Sequence, residues 1–166
     1  MVPSSPFLIA RLIAHLNPRK VRVVVELGGG VGTITRAILK RLPAHSRLYV
    51  FEINERFVRE LRKIHDTRLV VCERSAEDID PALFGGRVDC VISSLPFSSC
   101  GQAFRQRVLS ALQKTLSPDG VFLQYQYAPI SYRFFKKAFE DVTIEFELRN
   151  VPPAFIYRCR KPICAV

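Results

Sequence analysis

The chain has 166 residues, 48% of them apolar, with 25 Lys and Arg against 15 Asp and Glu, a net charge of +10 and no tryptophan. That length suits a single domain, and the apolar share is enough to bury a core, which excludes a disordered chain. The surplus charge favours phosphate-bearing partners, either nucleic acid or an anionic membrane, and residues 1–74 hold most of it, with 14 basic against 6 acidic side chains.

In chain order, the β-branched run Val21–Leu27 reads as a strand, followed by the glycine turn Gly28–Gly32 and a helix from Thr33 to about Leu42 that Pro43 ends. Arg47–Ile53 is a second strand. A helix from Asn54 to Ile64 follows, with Asn54 as its N-cap and Phe57, Val58, Leu61 and Ile64 on one apolar face. Arg68–Cys72 and Arg87–Ser93 are the third and fourth strands, and the loop Ser94–Gly101 leads into a helix with a buried stripe of Phe104, Val108, Ala111, Leu112 and Leu116. Ser117–Gly120 is a turn, Val121–Tyr127 a fifth strand, and Ile130–Phe139 a helix opened by Pro129. On that helix Arg133, Lys136 and Lys137 share an arc, a pattern that serves either a sheet-packing helix with a solvated face or an anionic surface. Val142–Leu148 and Ala154–Cys159 are the last two strands, joined without a helix and so expected as an antiparallel addition. The class is α/β: a seven-stranded, mostly parallel sheet with helices on both faces.

The five cysteines are odd in number and form no C-x-x-C pair, which favours buried free thiols over disulfides or a metal, and no metal site is expected. His15, His45 and His65 have no carboxylate partner in sequence and are expected at the surface. No apolar run approaches the ~18 residues that a spanning helix needs, so the chain is expected to be soluble or to lie on a surface.

The most informative segment is Glu26-Leu27-Gly28-Gly29-Gly30-Val31-Gly32, between a strand and a helix. Glycines there let the backbone turn tightly and approach a ligand, with helix N–H groups facing it. The dinucleotide fingerprint G-x-G-x-x-G fails at Thr33; the spacing present is acidic-x-G-x-G-x-G, with Glu52 closing the second strand. This pattern resembles the Rossmann-like class I S-adenosylmethionine-dependent methyltransferases. The resemblance implies that Gly28, Gly30 and Gly32 lie beneath the cofactor, that Glu26 helps hold its methionine ammonium, and that Glu52 accepts from the ribose hydroxyls with Ile53 beside it. A carboxylate suits two adjacent hydroxyls because it has several lone pairs and no donor. Ser75-Ala76, after the third strand, stands where adenine is held in that superfamily, and Ser75 serves equally as a helix N-cap. Ser93 also belongs to the implied cofactor set, and the product is S-adenosylhomocysteine.

Four further motifs lie outside the glycine loop: Pro3-Ser4-Ser5-Pro6-Phe7-Leu8, Ser94-Leu95-Pro96, Gln124-Tyr125-Gln126-Tyr127-Ala128-Pro129 and Asn150-Val151-Pro152-Pro153-Ala154. Together they resemble the bacterial phospholipid N-methyltransferases, which methylate phosphatidylethanolamine stepwise, with related members acting on other amino lipids. The resemblance runs over essentially the whole chain. It implies residues 1–20 as an N-terminal helix covering the cofactor cleft, within one domain spanning 1–166. It implies Tyr127, Ser94 and Asn150 at the reacting amine, and Ser4, Ser5, Leu95, Pro96, Tyr125 and Pro152 along the substrate. Tyr127 is favoured as the amine or phosphate contact through its hydroxyl and ring face; Asn150 either shapes the cleft wall or makes a turn. The family usually carries a helical extension ahead of the Pro-Ser-Ser motif, and this chain starts almost at that motif, either as a trimmed chain or as a short family member.

Methyl transfer from a sulfonium to an amine is an in-line displacement, so the protein mainly aligns nitrogen, carbon and sulfur. The expected partners are an amino-lipid substrate and an anionic phospholipid membrane, at the cytoplasmic face as a peripheral protein. The rival is an rRNA or DNA adenine N6-methyltransferase, suggested by the charge and by Leu95-Pro96-Phe97, where an aromatic ring stacks on a flipped base; Ser94 replaces its usual amide or acid. A third reading, from another class, is a non-catalytic partner subunit that binds cofactor.

Overall fold

Three consecutive valines with Glu26 and Leu27 form strand β1 (Val23–Leu27), an interior strand, third in order, of a seven-stranded sheet. The computed structural model describes residues 4–129 and 131–162. Around β1 lie β2 (Arg47–Phe51), β3 (Leu69–Cys72), β4 (Val88–Ser93), β5 (Leu116–Gln126), β6 (Phe139–Glu147) and β7 (Ala154–Pro162), in the order β3-β2-β1-β4-β5-β7-β6. The first five are parallel, whereas β7 runs antiparallel to both β5 and β6. The order reverses at β1, so the crevice where a ligand enters such a sheet opens at the carboxyl ends of β1 and β4.

Helices cover both faces. On one side α1 (Pro6–Ala14), α2 (Thr33–Arg41) and α3 (Glu55–Arg62) bury Leu8, Leu12, Ile34, Ile38 and Leu61 against Val24, Leu48, Ile92 and Leu123. On the other, α4 (Gln102–Thr115) and the short α5 (Tyr132–Phe135) bury Val108, Leu112 and Phe135 against Val25, Val91, Phe122 and Tyr157. Alternate strand residues point to opposite faces, so β1 feeds Val24 to one layer and Val25 to the other.

Three elements differ from the sequence reading. β2 stops at Phe51 rather than Ile53, because the Glu52 carboxylate accepts from the N–H groups of Ile53 and Asn54, both at 2.9 Å, and so draws the chain out of the ladder. Asn54 then caps α3, accepting from the Arg56 N–H at 3.0 Å. The turn expected at 117–120 is instead a bulge in β5: Asp89 alone separates Val88 from Cys90, while 117–120 separate their partners Leu116 and Val121.

The third difference is the helix expected over 130–139, which is one turn, Tyr132–Phe135; Ile130 lies outside the described residues. Phe139 leaves the helix to open β6, fully buried, its ring stacked on Phe122 at 5.8 Å. The Phe-rich sequence fits helix or strand, and pairing with β7 satisfies the backbone as well as burying the ring. Among the described residues of this segment there is therefore no basic amphipathic helix beyond that one turn. His15, expected without a partner, lies 3.3 Å from Glu145, and burial lowers its pKa.

Among the described residues no helix is long and apolar enough to cross a membrane, and no cluster of three or more His, Cys, Asp or Glu is placed to hold a metal ion.

Candidate functional site at the carboxyl ends of the central strands

Gly28 has φ +81° and Gly32 φ +81°, the left-handed region that costs an L side chain about 1–2 kcal/mol. Gly28 is doubly constrained, because a Cβ there would stand 2.6 Å from the Ser94 hydroxyl. Ser94 in turn donates that hydroxyl to the Gly28 carbonyl at 2.7 Å, and its N–H bonds the Leu27 carbonyl at 3.0 Å. The loop after β4 and the glycine loop after β1 are thus one unit. Gly28→Ala is expected to displace Ser94, lower stability by about 1–2 kcal/mol and weaken cofactor binding at least tenfold; calorimetric titration and thermal melts check both.

Two buried carboxyls flank this loop. Glu26 is 2% exposed and accepts from Thr35 Oγ1, in the first turn of α2, at 2.7 Å. Burial pushes its pKa up to about 8; the Thr35 bond opposes that shift and the charge of Glu52 adds to it. Glu52 is 9% exposed and stays engaged with backbone: Oε2 accepts from Gly30 N–H at 3.0 Å, and Oε1 takes both Ile53 and Asn54. Oε2 keeps a lone pair for a ligand hydroxyl. Ile53 projects beside it, 73% exposed, as an apolar surface for a flat ring.

On the substrate side Tyr125 reaches inward. Its hydroxyl accepts from Ser4 Oγ at 3.1 Å. Burial raises its pKa, with the charges of Tyr127 and Glu26 adding to the shift and hydrogen bonds with the Ser4 and Ser94 hydroxyls opposing it. Tyr127, favoured from sequence, stands on the rim, 44% exposed. Tyr125 is therefore bonded to the N-terminal segment, while Tyr127 stays open to solvent, where an amine or phosphate can reach it.

Asn150, expected among the reacting groups, is fully buried: its Oδ1 accepts from Ser5 N–H at 2.8 Å and its amide donates to the Pro152 carbonyl at 2.7 Å. It binds the β6–β7 turn to the start of α1, and both polar atoms of its side chain are engaged there. Ser5 also caps α1, accepting from Leu8 N–H at 3.2 Å. Pro152 is exposed beside Asn150. Ser93 is fully buried, its hydroxyl accepting from Leu95 N–H at 3.2 Å, so it shapes the loop. Ser75 caps the turn Ala76–Asp78 in a reciprocal capping box, with Ala76 buried beneath. Leu95 is half-buried and Pro96 exposed at the cleft. Phe97, in contrast, is fully buried against Phe122, Phe134 and Phe135, and has no face free for a flipped base.

Two contributors went unassigned in the sequence. Gln124, fully buried, donates to the carbonyls of Leu95 and Tyr125, both at 2.8 Å, and so fixes the substrate loop to β5. Thr35 orients Glu26; a threonine on the otherwise aliphatic buried face of α2 is the signal that marks it. A half-open pocket of about 400 Å³ between α4 and α5, lined by Arg105, Leu109 and Phe134, touches none of these residues.

The donor set fits S-adenosylmethionine. Glu26 lies where an ammonium would be paired, Oε2 of Glu52 where ribose hydroxyls would donate, Ile53 where the base would pack, and Gly28 leaves open the space that a Cβ would fill. Bound there, the cofactor supplies an electrophilic methyl group. The Ser94 hydroxyl hydrogen is already committed to Gly28, so toward an amine it offers lone pairs as an acceptor.

Comparison with known proteins agrees with this geometry. A family described as a methyltransferase domain matches residues 25–122. Ornithine lipid N-methyltransferase of Singulisphaera acidiphila is 35% identical over 96% of this chain and 86% of its own length. Ribosomal RNA small subunit methyltransferase A of Dechloromonas aromatica is 32% identical, but over 55% of this chain, which spans only 34% of that protein. Among solved structures, N-methyltransferase NodS from Bradyrhizobium japonicum superposes with a TM-score of 0.70 at 14% identity, covering 93% of each chain. An O-methyltransferase from Thermotoga maritima gives 0.71 at 12% identity, over 100% of this chain and 68% of that one. At those identities the structural likeness concerns the fold.

Proposed function

Because this chain belongs to the S-adenosylmethionine-dependent methyltransferases, as an N-methyltransferase matching a lipid-modifying relative over nearly its whole length, we propose that it methylates the headgroup amine of an amino lipid at a membrane surface. Phosphatidylethanolamine and an ornithine lipid are the two candidate acceptors, and the cytoplasmic face of the membrane, with peripheral attachment, is the proposed location. The observation that carries this reading is the joint between the Ser4-Ser5 segment and the cleft: Ser4 meets Tyr125 and Ser5 meets Asn150, so the N-terminal motif, the strand-five motif and the Asn150 motif form one wall around Ser94. The ribosomal RNA relative matches only 55% of the chain, against 96% for the lipid-modifying one.

In this reading Ser94 and Tyr125 orient the amine as acceptors, while Asn150 and Gln124 hold the wall. Adenine methylation is disfavoured, since Phe97 is core rather than a stacking surface. The test offers labelled S-adenosylmethionine with vesicles containing phosphatidylethanolamine, vesicles containing an ornithine lipid, or bulk RNA. Label in either lipid and none in RNA is expected. Label in RNA alone overturns the proposal, and label in neither, with cofactor bound, assigns the chain to the non-catalytic class. Tyr125→Phe is expected to lower transfer to lipid by about tenfold with cofactor affinity unchanged, the size expected for one lost hydrogen bond to a charged group; steady-state kinetics check it.

A further inference from the structure

Water-facing hairpin turns are usually built from Gly, Asn, Asp, Pro and Ser. The β6–β7 turn instead presents Leu148 at 68% exposure and Val151 at 78%, on either side of Arg149 and the buried Asn150. Scattered exposed apolar residues need no explanation, but these have neighbours. Phe7, 46% exposed, lies under Arg149, with the guanidinium 4.2 Å from the ring centroid. Phe146, 42% exposed, packs its ring 4.7 Å from Phe155, which pairs with Gln126, the residue before the 44% exposed Tyr127. All of this lies at the end of the sheet where the candidate cleft opens, since the Gln126–Phe155 pair closes β5 at its carboxyl end.

We infer that this apolar tip is a membrane-docking face, which enters the interfacial layer of an anionic phospholipid bilayer and turns the mouth of the cleft toward lipid. The occupant follows from shape and charge. The five apolar side chains expose on the order of 500 Å², short of the ~800 Å² per partner that a stable protein interface buries. They stand at a hairpin end, which suits entry into a soft layer, with a cation among them. The carboxylates nearest the tip are already paired, Glu145 with Arg11 and His15, and Glu147 with Arg11 and Arg149, so neither presents an unpaired negative charge to lipid phosphate. Apolar insertion is the interfacial binding mode, and the net charge of +10 on the chain as a whole favours an anionic surface. The inference deepens the lipid reading by naming the surface through which substrate would arrive, and it places docking in the catalytic domain itself.

The absence of tryptophan makes a direct test simple. Leu148→Trp puts a reporter on the tip, and Lys20→Trp puts one at the exposed, opposite end of β1. Both are mixed with vesicles of phosphatidylcholine and phosphatidylglycerol, neither of which offers an amine to methylate, so docking is read apart from any transfer. The expected result is a blue shift, and quenching by brominated lipid, for Leu148→Trp alone. No shift, or equal shifts at both positions, overturns the inference. A blue-shifted Leu148→Trp emission before lipid is added, with a dimer by sedimentation, also overturns it by assigning the face to a second copy of the chain. The paired change Leu148→Asp and Val151→Asp is expected to weaken vesicle partitioning at least about tenfold, with unchanged far-ultraviolet circular dichroism; unchanged partitioning overturns the inference.

Discussion

Glu52→Ala is expected to reduce S-adenosylmethionine affinity at least about a hundredfold, below calorimetric detection, through loss of hydrogen bonds to a charged acceptor, each worth about 1.5–3 kcal/mol. The structure adds a second effect. Gly30 N–H, buried, loses its acceptor, whereas the N–H groups of Ile53 and Asn54 turn toward solvent, where water replaces the carboxylate. One buried orphan donor costs about 1–3 kcal/mol, which at this chain length lowers the melting midpoint by roughly 3 °C per kcal/mol. Glu52→Gln separates the two effects, because an amide oxygen still accepts from Gly30 while the charge on the ribose side is gone. It is expected to melt close to the parent protein and to bind cofactor about tenfold more weakly. Unchanged affinity in both variants would refute the placement of the ribose at Glu52.

The contrast between Glu52 and Asn150 shows what one chain's residues reveal and what they conceal. The glycine loop and its two acids are local: strand, three glycines and helix follow within a few residues, and positive φ at Gly28 and Gly32 permits few other residue types. The roles of Asn150 and Tyr125 depend on Ser5 and Ser4, 145 and 121 residues away, so burial and partner choice there follow from how β7 and α1 come together. Strand and helix periods likewise located all seven strands. Their failure over 130–139 arose because Phe134, Phe135, Ala138 and Phe139 form an apolar set that serves a helix face or a strand entering the sheet edge. Only the pairing with β7 decides between them. The bulge at 117–120 was hidden for a related reason: Ser-Pro-Asp-Gly has turn chemistry, and a bulge that re-aims a strand uses the same residues.

Glu26 carries the second large expected effect, a proton released when cofactor binds. Its pKa rises from 4.5 to about 8 chiefly because burial disfavours the charged form. The sign follows from linkage: between those values the folded, cofactor-free protein holds a proton that the unfolded chain has lost. Stability is then greatest below about 4.5 and falls as pH rises toward about 8, where Glu26 ionises in both states and the loss levels off. A ligand ammonium reverses the preference, because an opposite charge favours the carboxylate. Binding at pH 7 is therefore expected to release about one proton, and affinity is expected to rise up to tenfold per pH unit between roughly pH 6 and 8. Calorimetry in two buffers of different ionisation enthalpy measures that proton directly. Glu26→Gln keeps the acceptor for Thr35 and removes the titration, so its melting midpoint is expected to be nearly independent of pH across that window, its proton release to vanish and its affinity to fall. A parent protein with equal apparent enthalpies in both buffers would show that Glu26 is already ionised before binding, and the pairing with the methionine ammonium would then have no pH signature.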